Sequence, residues 1–143
     1  MRTLQRRRDG FTILELMIVV VVIGILAAIA TIKYADLMRK ANEGEAKGNL
    51  GAIRTALSIY YSDVEMTFPS SMGALTIGGR YLRSLPGART PNYHSESAAV
   101  TAGSAPSDTS GWFYDNIASD SNFGSAAINC THTDSKGSIW TLY

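Results

Sequence analysis

The chain has 143 residues, room for one small domain once any membrane segment is set aside, and a formal net charge of +1. That charge is unevenly placed: Arg2, Arg6, Arg7 and Arg8 against Asp9 give a local +3, and the remaining 9 Lys and Arg against 11 Asp and Glu give −2. Nothing in this pattern argues for a nucleic-acid partner, and a lone cysteine, Cys130, excludes an intramolecular disulfide.

Residues 1–10 read as a basic leader. From Ile13 to Ile32 there are 20 residues with a single charge, Glu15. As a helix they span about 30 Å, the thickness of a bilayer's hydrocarbon core. A carboxylate there costs roughly 2.5–3.5 kcal/mol at mid-membrane and less near an end, so Glu15 needs a task. The positive-inside tendency holds the Arg cluster in the cytoplasm and sends the rest across, with Lys33, Arg39 and Lys40 opposing that bias. An ordinary secretory signal is the rival reading, with Ala28-Ile29-Ala30 as its small-x-small cleavage site and a soluble chain from Thr31. Glu15 inside the apolar run, and helical periodicity that continues past Ala30, oppose it.

Residues 33–62 are predicted to continue as an amphipathic helix, with Asp36 and Lys40, and Glu43 and Lys47, at i,i+4. No proline lies between Phe11 and Phe68, so a helix from Phe11 to Ser62 has 52 residues and a length of about 78 Å. Its apolar stripe changes face. Tyr34, Leu37, Met38 and Ala41 share one side, continued by Gly48 and Ala52; Ala46, Leu50, Ile53, Leu57 and Tyr60 share another. The second stripe is what a globular head covers, and the first is left for other subunits or for a loop of the head. Gly44, Gly48 and Gly51, each costing about 1 kcal/mol against Ala, admit either bending or a second backbone.

Residues 63–143 form the expected head. Pro69, Ser70, Ser71 and Gly73 end the helix, with Tyr81-Leu82 and Leu85-Pro86 packing beneath it. Ser95 to Ser110 reads as an exposed low-complexity loop. Trp112-Phe113-Tyr114, Ala126 to Cys130 and Ile139 to Tyr143 are predicted as three short antiparallel strands laid on the Leu50–Tyr60 stripe. The fold class is α+β: a long transmembrane-then-amphipathic helix with a small antiparallel sheet. Cys130, His132 and Asp134 alternate, but i,i+2 side chains on a strand project in parallel and form no relay. The trio also supplies too few soft ligands for zinc. Asp115, Asn116, Asp120 and Asn122 offer oxygens for calcium, and equally the chemistry of turns. Aromatic residues Phe11, Tyr34, Tyr60 and Tyr61 are explained by packing, and no Cys-x-x-Cys-His haem motif is present.

The basic leader, the Gly10-Phe11 junction, Thr12, Glu15 and the apolar helix together closely resemble the prepilin signal of type IV pilins and type II secretion pseudopilins. The run YYSDVEMTFPSSMGAL resembles the entry to the pilin αβ-loop, and GWFYD looks pilin-like; beyond residue 70 the likeness is thin. Two departures stand out: Ile32 where a proline commonly sits, and no cysteine pair around the last loop. The resemblance implies cleavage after Gly10 by a prepilin peptidase and N-methylation of Phe11. It implies a single pass through the inner membrane with the head outside the cytoplasm. An assembly platform then draws the subunit from the lipid bilayer into a homo-oligomeric filament with other pilins or pseudopilins. In that filament Glu15 pairs with a neighbour's Phe11 α-amine. The implied role is structural, not enzymatic, and needs no cofactor. The filament is an extracellular pilus or a periplasmic secretion pseudopilus, for whose major subunits calcium has a family precedent. A secreted or anchored binding module is the remote third reading.

Overall fold

The structure is a computed structural model that describes residues 10–143; residues 1–9, including the arginine cluster, lie outside the described residues. The chain divides into two compact units, Met1–Leu37 and Met38–Tyr143. One helix, α1 (Ile13–Asp63), supplies residues to both.

In the first unit α1 begins with a reciprocal cap. The Thr12 hydroxyl accepts the Glu15 N–H at 3.2 Å, and the Glu15 carboxylate accepts the Thr12 N–H at 2.9 Å. This is a capping box, Thr at the N-cap and Glu three residues on, and it satisfies two donors that the helix itself leaves unpaired. Thr31 turns its hydroxyl back to the Ala27 carbonyl, so it presents no bare polar group. The large apolar side chains from Phe11 to Ile32 are 44–80 % exposed. This stretch is long and apolar enough to cross a membrane.

In the second unit the helix buries one stripe. Ala46, Leu50, Ile53, Ala56 and Leu57 recur at three- and four-residue steps, as one face of an α-helix requires, and are all buried. Met38, Ala41, Gly48 and Ala52 lie on exposed surface. A Cβ added at Gly44, Gly48 or Gly51 would meet nothing within 4 Å, so packing within the chain does not require these glycines. The pairing of Glu43 with Lys47 expected from spacing yields to long-range partners: Glu43 receives the Ser135 N–H and hydroxyl, and Lys47 donates to Asp134.

After Asp63 the backbone passes through positive φ at Glu65 and Met66, and Ser71 caps a 3₁₀ helix, Met72–Gly79. Met72 and Leu75 of that helix enter the core. Strands β1 (Ala88–Thr90) and β2 (His94–Ser97) then form an antiparallel hairpin. A three-stranded sheet follows, of β3 (Val100–Ala102), β4 (Trp112–Tyr114) and β5 (Ala126–Ile128), in that spatial order.

The antiparallel pairing of β4 with β5 is the one expected from sequence. The third strand is not. It is β3, drawn from the segment read as a loop and paired parallel to β4. Gly111 permits that approach: its φ is +79°, and a Cβ there would lie 2.2 Å from the Ala99 carbonyl oxygen. The expected strand at Ile139–Tyr143 is a single bridge, Thr133 to Ile139, followed by a 3₁₀ turn, Trp140–Leu142. The physical reason is local: Asp134 Oδ1 takes the N–H groups of Lys136 and Ser138 and curls the chain, which buries Trp140 beneath it.

The core joins the helix stripe to Met72, Leu75, Trp112, Tyr114, Ile128 and Trp140. Several polar ends inside it are partnered, but the Trp140 indole N–H has no hydrogen-bond partner among the described residues. The Trp112 indole donates to the Pro86 carbonyl at 2.7 Å, the Tyr114 hydroxyl to the Pro69 carbonyl at 2.5 Å, and Arg54 to the carbonyls of Ala126 and Tyr143.

Candidate functional site

The Gly10-Phe11 junction and Glu15 lie together at the start of α1. Gly10 and Phe11 precede the first helical residue and are exposed, Phe11 by 78 %. Glu15 Oε2 also accepts the Thr12 hydroxyl at 3.0 Å, so one carboxylate oxygen holds both donors of Thr12. Its placement in the first turn matches the positive end of the helix dipole. Sequence reasoning gave Glu15 only an intermolecular task; the Thr-x-x-Glu spacing was the available signal for this local one.

The four oxygen-bearing residues proposed for calcium are only partly gathered. Asp115 and Asn122 line one surface pocket with Phe113, Ser125 and Thr141. Asp115 is buried; its Oδ1 accepts the Ile117 N–H at 3.0 Å, while its Oδ2 has no hydrogen-bond partner among the described residues. Asn116 instead donates to the Ser70 carbonyl at 3.4 Å, and Asp120 accepts the Asn122 N–H at 3.3 Å. Asp120 thus acts as a turn residue, while Asn116 makes a long-range tie.

The alternating trio at 130–134 separates. Asp134 faces the helix, where its Oδ2 takes the Lys47 ammonium at 2.5 Å and the Tyr143 hydroxyl at 2.6 Å. Burial alone would raise its pKa; Lys47, Tyr143 and the two backbone N–H groups outweigh that and hold it well below the ordinary carboxylate range. Cys130 and His132 turn the other way, with Cys130 Sγ 3.6 Å from His132 Nδ1. Burial pushes the Cys130 thiol up.

Two residues that sequence reasoning left aside join them. Asp108 Oδ1 lies 3.5 Å from His132 Nδ1 and 3.2 Å from His94 Nε2. The backbone N–H of Thr131, donated to Asp108, is the leading cause that lowers that carboxyl's pKa. No local spacing connects positions 94, 108 and 130–132; the available hint was that the chain's two histidines flank its only cysteine in composition terms. As a hydrolase triad the group fails, because thiol and carboxylate meet the same imidazole nitrogen and no proton can pass between ring ends. The thiol is also fully buried.

A family model described as the prokaryotic N-terminal methylation motif matches residues 5–31. Relatives include fimbrial protein EcpC of Eikenella corrodens, 40 % identical over 86 residues, covering 57 % of this chain and 56 % of that protein. Type IV major pilin protein PilA of Myxococcus xanthus is 42 % identical over 78 residues, 52 % of this chain and 36 % of its own length. Type II secretion system core protein G of Pseudomonas aeruginosa is 38 % identical over 71 residues, 50 % of this chain and 49 % of its own length. The chain thus spans about half the length of the curated relatives it matches. No solved structure matches.

Proposed function

We propose that this chain, whose methylation motif and relatives resemble those of type IV pilins and type II secretion pseudopilins, is a structural filament subunit made as a prepilin. The observation that carries the reading is an apolar helix start whose side chains are exposed in the single chain, with one carboxylate, Glu15, in its first turn. Such a surface needs lipid or other helices around it. Residues 1–10 are the leader, 11–32 the membrane and filament-core segment, 33–62 the helix that carries the head, and 63–143 the head. A prepilin peptidase cuts after Gly10 and methylates the new α-amine of Phe11. An inner-membrane platform then moves the subunit from bilayer to filament. The open side of the helix at Gly44, Gly48 and Gly51 supports close approach of neighbouring subunits.

Glu15 gives the electrostatic logic. Four residues separate it from Phe11, about 6 Å of helix rise, so an axial stagger of that size brings one chain's carboxylate level with the next chain's amine. A buried carboxylate is tolerated when paired, and the amine is the cation available. The test separates pairing from capping. Glu15→Gln keeps an acceptor for Thr12 and removes the charge; Glu15→Leu removes both. Cleaved subunit is measured in membranes and in sheared filaments, with the mature N-terminus read by mass. Both variants are expected to be cleaved and to insert, and both to be depleted from filaments. Parental filament yield from Glu15→Gln would leave capping as the only task of Glu15. A mature chain beginning at Thr31 would establish an ordinary secretory signal instead.

The pseudopilus is the second reading, favoured by similarity to a secretion core protein G and by the bare Asp115 oxygen beside Asn122. Calcium-dependent stabilisation supports it, and long surface filaments oppose it.

A further inference from the structure

His94, Asp108, Cys130 and His132 each offer one ligand atom, and these atoms all lie within 4.8 Å of one another. Three separate segments bring them together: His94 opens β2, Asp108 sits in the loop between β3 and β4, and Cys130 and His132 follow β5. From this geometry we infer a tetrahedral binding site for a divalent transition-metal ion of the zinc class, built by His94, Asp108, Cys130 and His132.

Distances bear on the coordination. Bonds of about 2.0–2.1 Å to nitrogen and oxygen and about 2.3 Å to sulfur give tetrahedron edges of roughly 3.3–3.7 Å. Three of the six edges fall near that range, 3.2 Å from His94 to Asp108, 3.5 Å from Asp108 to His132, and 3.6 Å from His132 to Cys130; the other three are no longer than 4.8 Å, so the ligands draw together on binding. Hydrogen bonding alone accounts for the cluster poorly. His132 Nδ1 faces both a thiol and a carboxylate oxygen, and one ring nitrogen has either one proton or one lone pair to offer. An ion at the centre serves all four groups at once. Two imidazoles and a thiolate also select a borderline-soft ion over calcium or magnesium, which take oxygen.

The surroundings fix the ligands before any ion arrives. The Tyr93 ring stacks on His132 with centroids 4.1 Å apart and planes 13° apart. Asn129, fully buried, accepts the N–H groups of Ser107 and Asp108 at 2.8 and 3.1 Å and donates to the hydroxyls of Thr101, Ser107 and Thr109. That amide clamps the loop on which Asp108 rides, as outer-shell groups of metal sites do. Cys130 closes the inner side, while His94, Asp108 and His132 are 19, 33 and 41 % exposed and leave an entry path.

Loading forms four bonds and releases one proton: the thiol gives its proton to solvent, and the dication with one thiolate and one carboxylate becomes a neutral centre. With four protein ligands and no open position, the site is structural. It staples the β1–β2 hairpin to the three-stranded sheet.

The test uses the full chain, reduced, stripped of metal and held in mild detergent, titrated with Co²⁺ and then Zn²⁺. One Co²⁺ per chain is expected to give tetrahedral ligand-field bands with a thiolate-to-cobalt charge-transfer band, and Zn²⁺ to displace it. Zn²⁺ should raise the thermal midpoint reported by Trp112 and Trp140. His94→Gln and Asp108→Asn alter partly exposed side chains, and each should weaken binding by at least about 100-fold with the tryptophan signal of the folded state retained. Cys130→Ser should abolish the charge-transfer band. A folded, reduced parent showing no such band, or His94→Gln binding as tightly as the parent, would overturn the assignment.

Discussion

Replacing Lys47 by Met removes one partner of a buried ion pair while keeping most of the side chain's stem. The Asp134 side chain has no solvent exposure, so its charge depends on what surrounds it. Breaking such a pair from one side costs about 3–5 kcal/mol when nothing replaces the lost partner. Two features reduce that here. Lys47 is 27 % exposed, so water reaches the vacated position, and the Tyr143 hydroxyl and the Lys136 and Ser138 N–H groups remain on the carboxylate. Against this, the ammonium also sits 3.8 Å from the Tyr143 ring centroid, a contact worth about 0.5–1 kcal/mol. The expected cost of Lys47→Met is therefore about 2–3 kcal/mol, or about 1–2 M in the urea midpoint. Urea unfolding of the detergent-solubilised chain in EDTA, followed by the fluorescence of the buried Trp112 and Trp140, reads it directly. The double variant Lys47→Met/Asp134→Asn should cost less than the sum of its singles by at least about 1 kcal/mol. A loss below about 0.5 kcal/mol for Lys47→Met, the range of a surface pair, would refute the argument. So would strict additivity.

Leu57→Ala, in the buried stripe, should destabilise the same transition by about 2–5 kcal/mol, while Met38→Ala on the exposed side leaves the midpoint nearly unchanged. Equal losses would show that the division of helix faces is wrong. Tyr114 concerns pH. Burial, with smaller contributions from Tyr60 and Asp115, pushes its hydroxyl up to about 12. A pKa raised on folding contributes stability that is intact below the unfolded value of about 10 and lost as pH rises from there through 12. Tyr114→Phe loses the hydrogen bond to the Pro69 carbonyl, so it should be less stable at pH 7, and its deficit should shrink above pH 10. A deficit that is constant across that window would sink the assignment.

What could be read in advance followed from local periodicity. Leu50, Ile53 and Leu57 repeat with the helix, the single charge at Glu15 stands against an apolar background, and Trp112-Phe113-Tyr114 is a run of strand-favouring aromatics. What could not be read depends on partners distant in sequence. Val100-Thr101-Ala102 is too short and too closely flanked by Ser and Gly to read as a strand, and becomes one because the Trp112 N–H reaches the Ala99 carbonyl and the Gly103 N–H reaches that of Tyr114. Ile139 to Tyr143 has strand composition, yet Asp134 curls the preceding turn and Trp140 is taken into the core. The His94–Asp108–Cys130–His132 cluster is the extreme case, assembled from three segments that share no spacing rule.

The reciprocal hydrogen bonds between Thr12 and Glu15 have a bearing on proteolysis. Both partners lie on the carboxyl side of the Gly10-Phe11 peptide, and the backbone from Gly10 to Thr12 is non-helical. A peptidase that grips extended substrate would therefore meet residues 10–12 without unwinding α1. Were the chain cut there, as proposed above, the helix would keep its terminal lock, because none of the lock's atoms would leave with residues 1–10. The shortened chain would then start as a pre-formed cylinder whose first residue carries a new cation and whose cap is already closed.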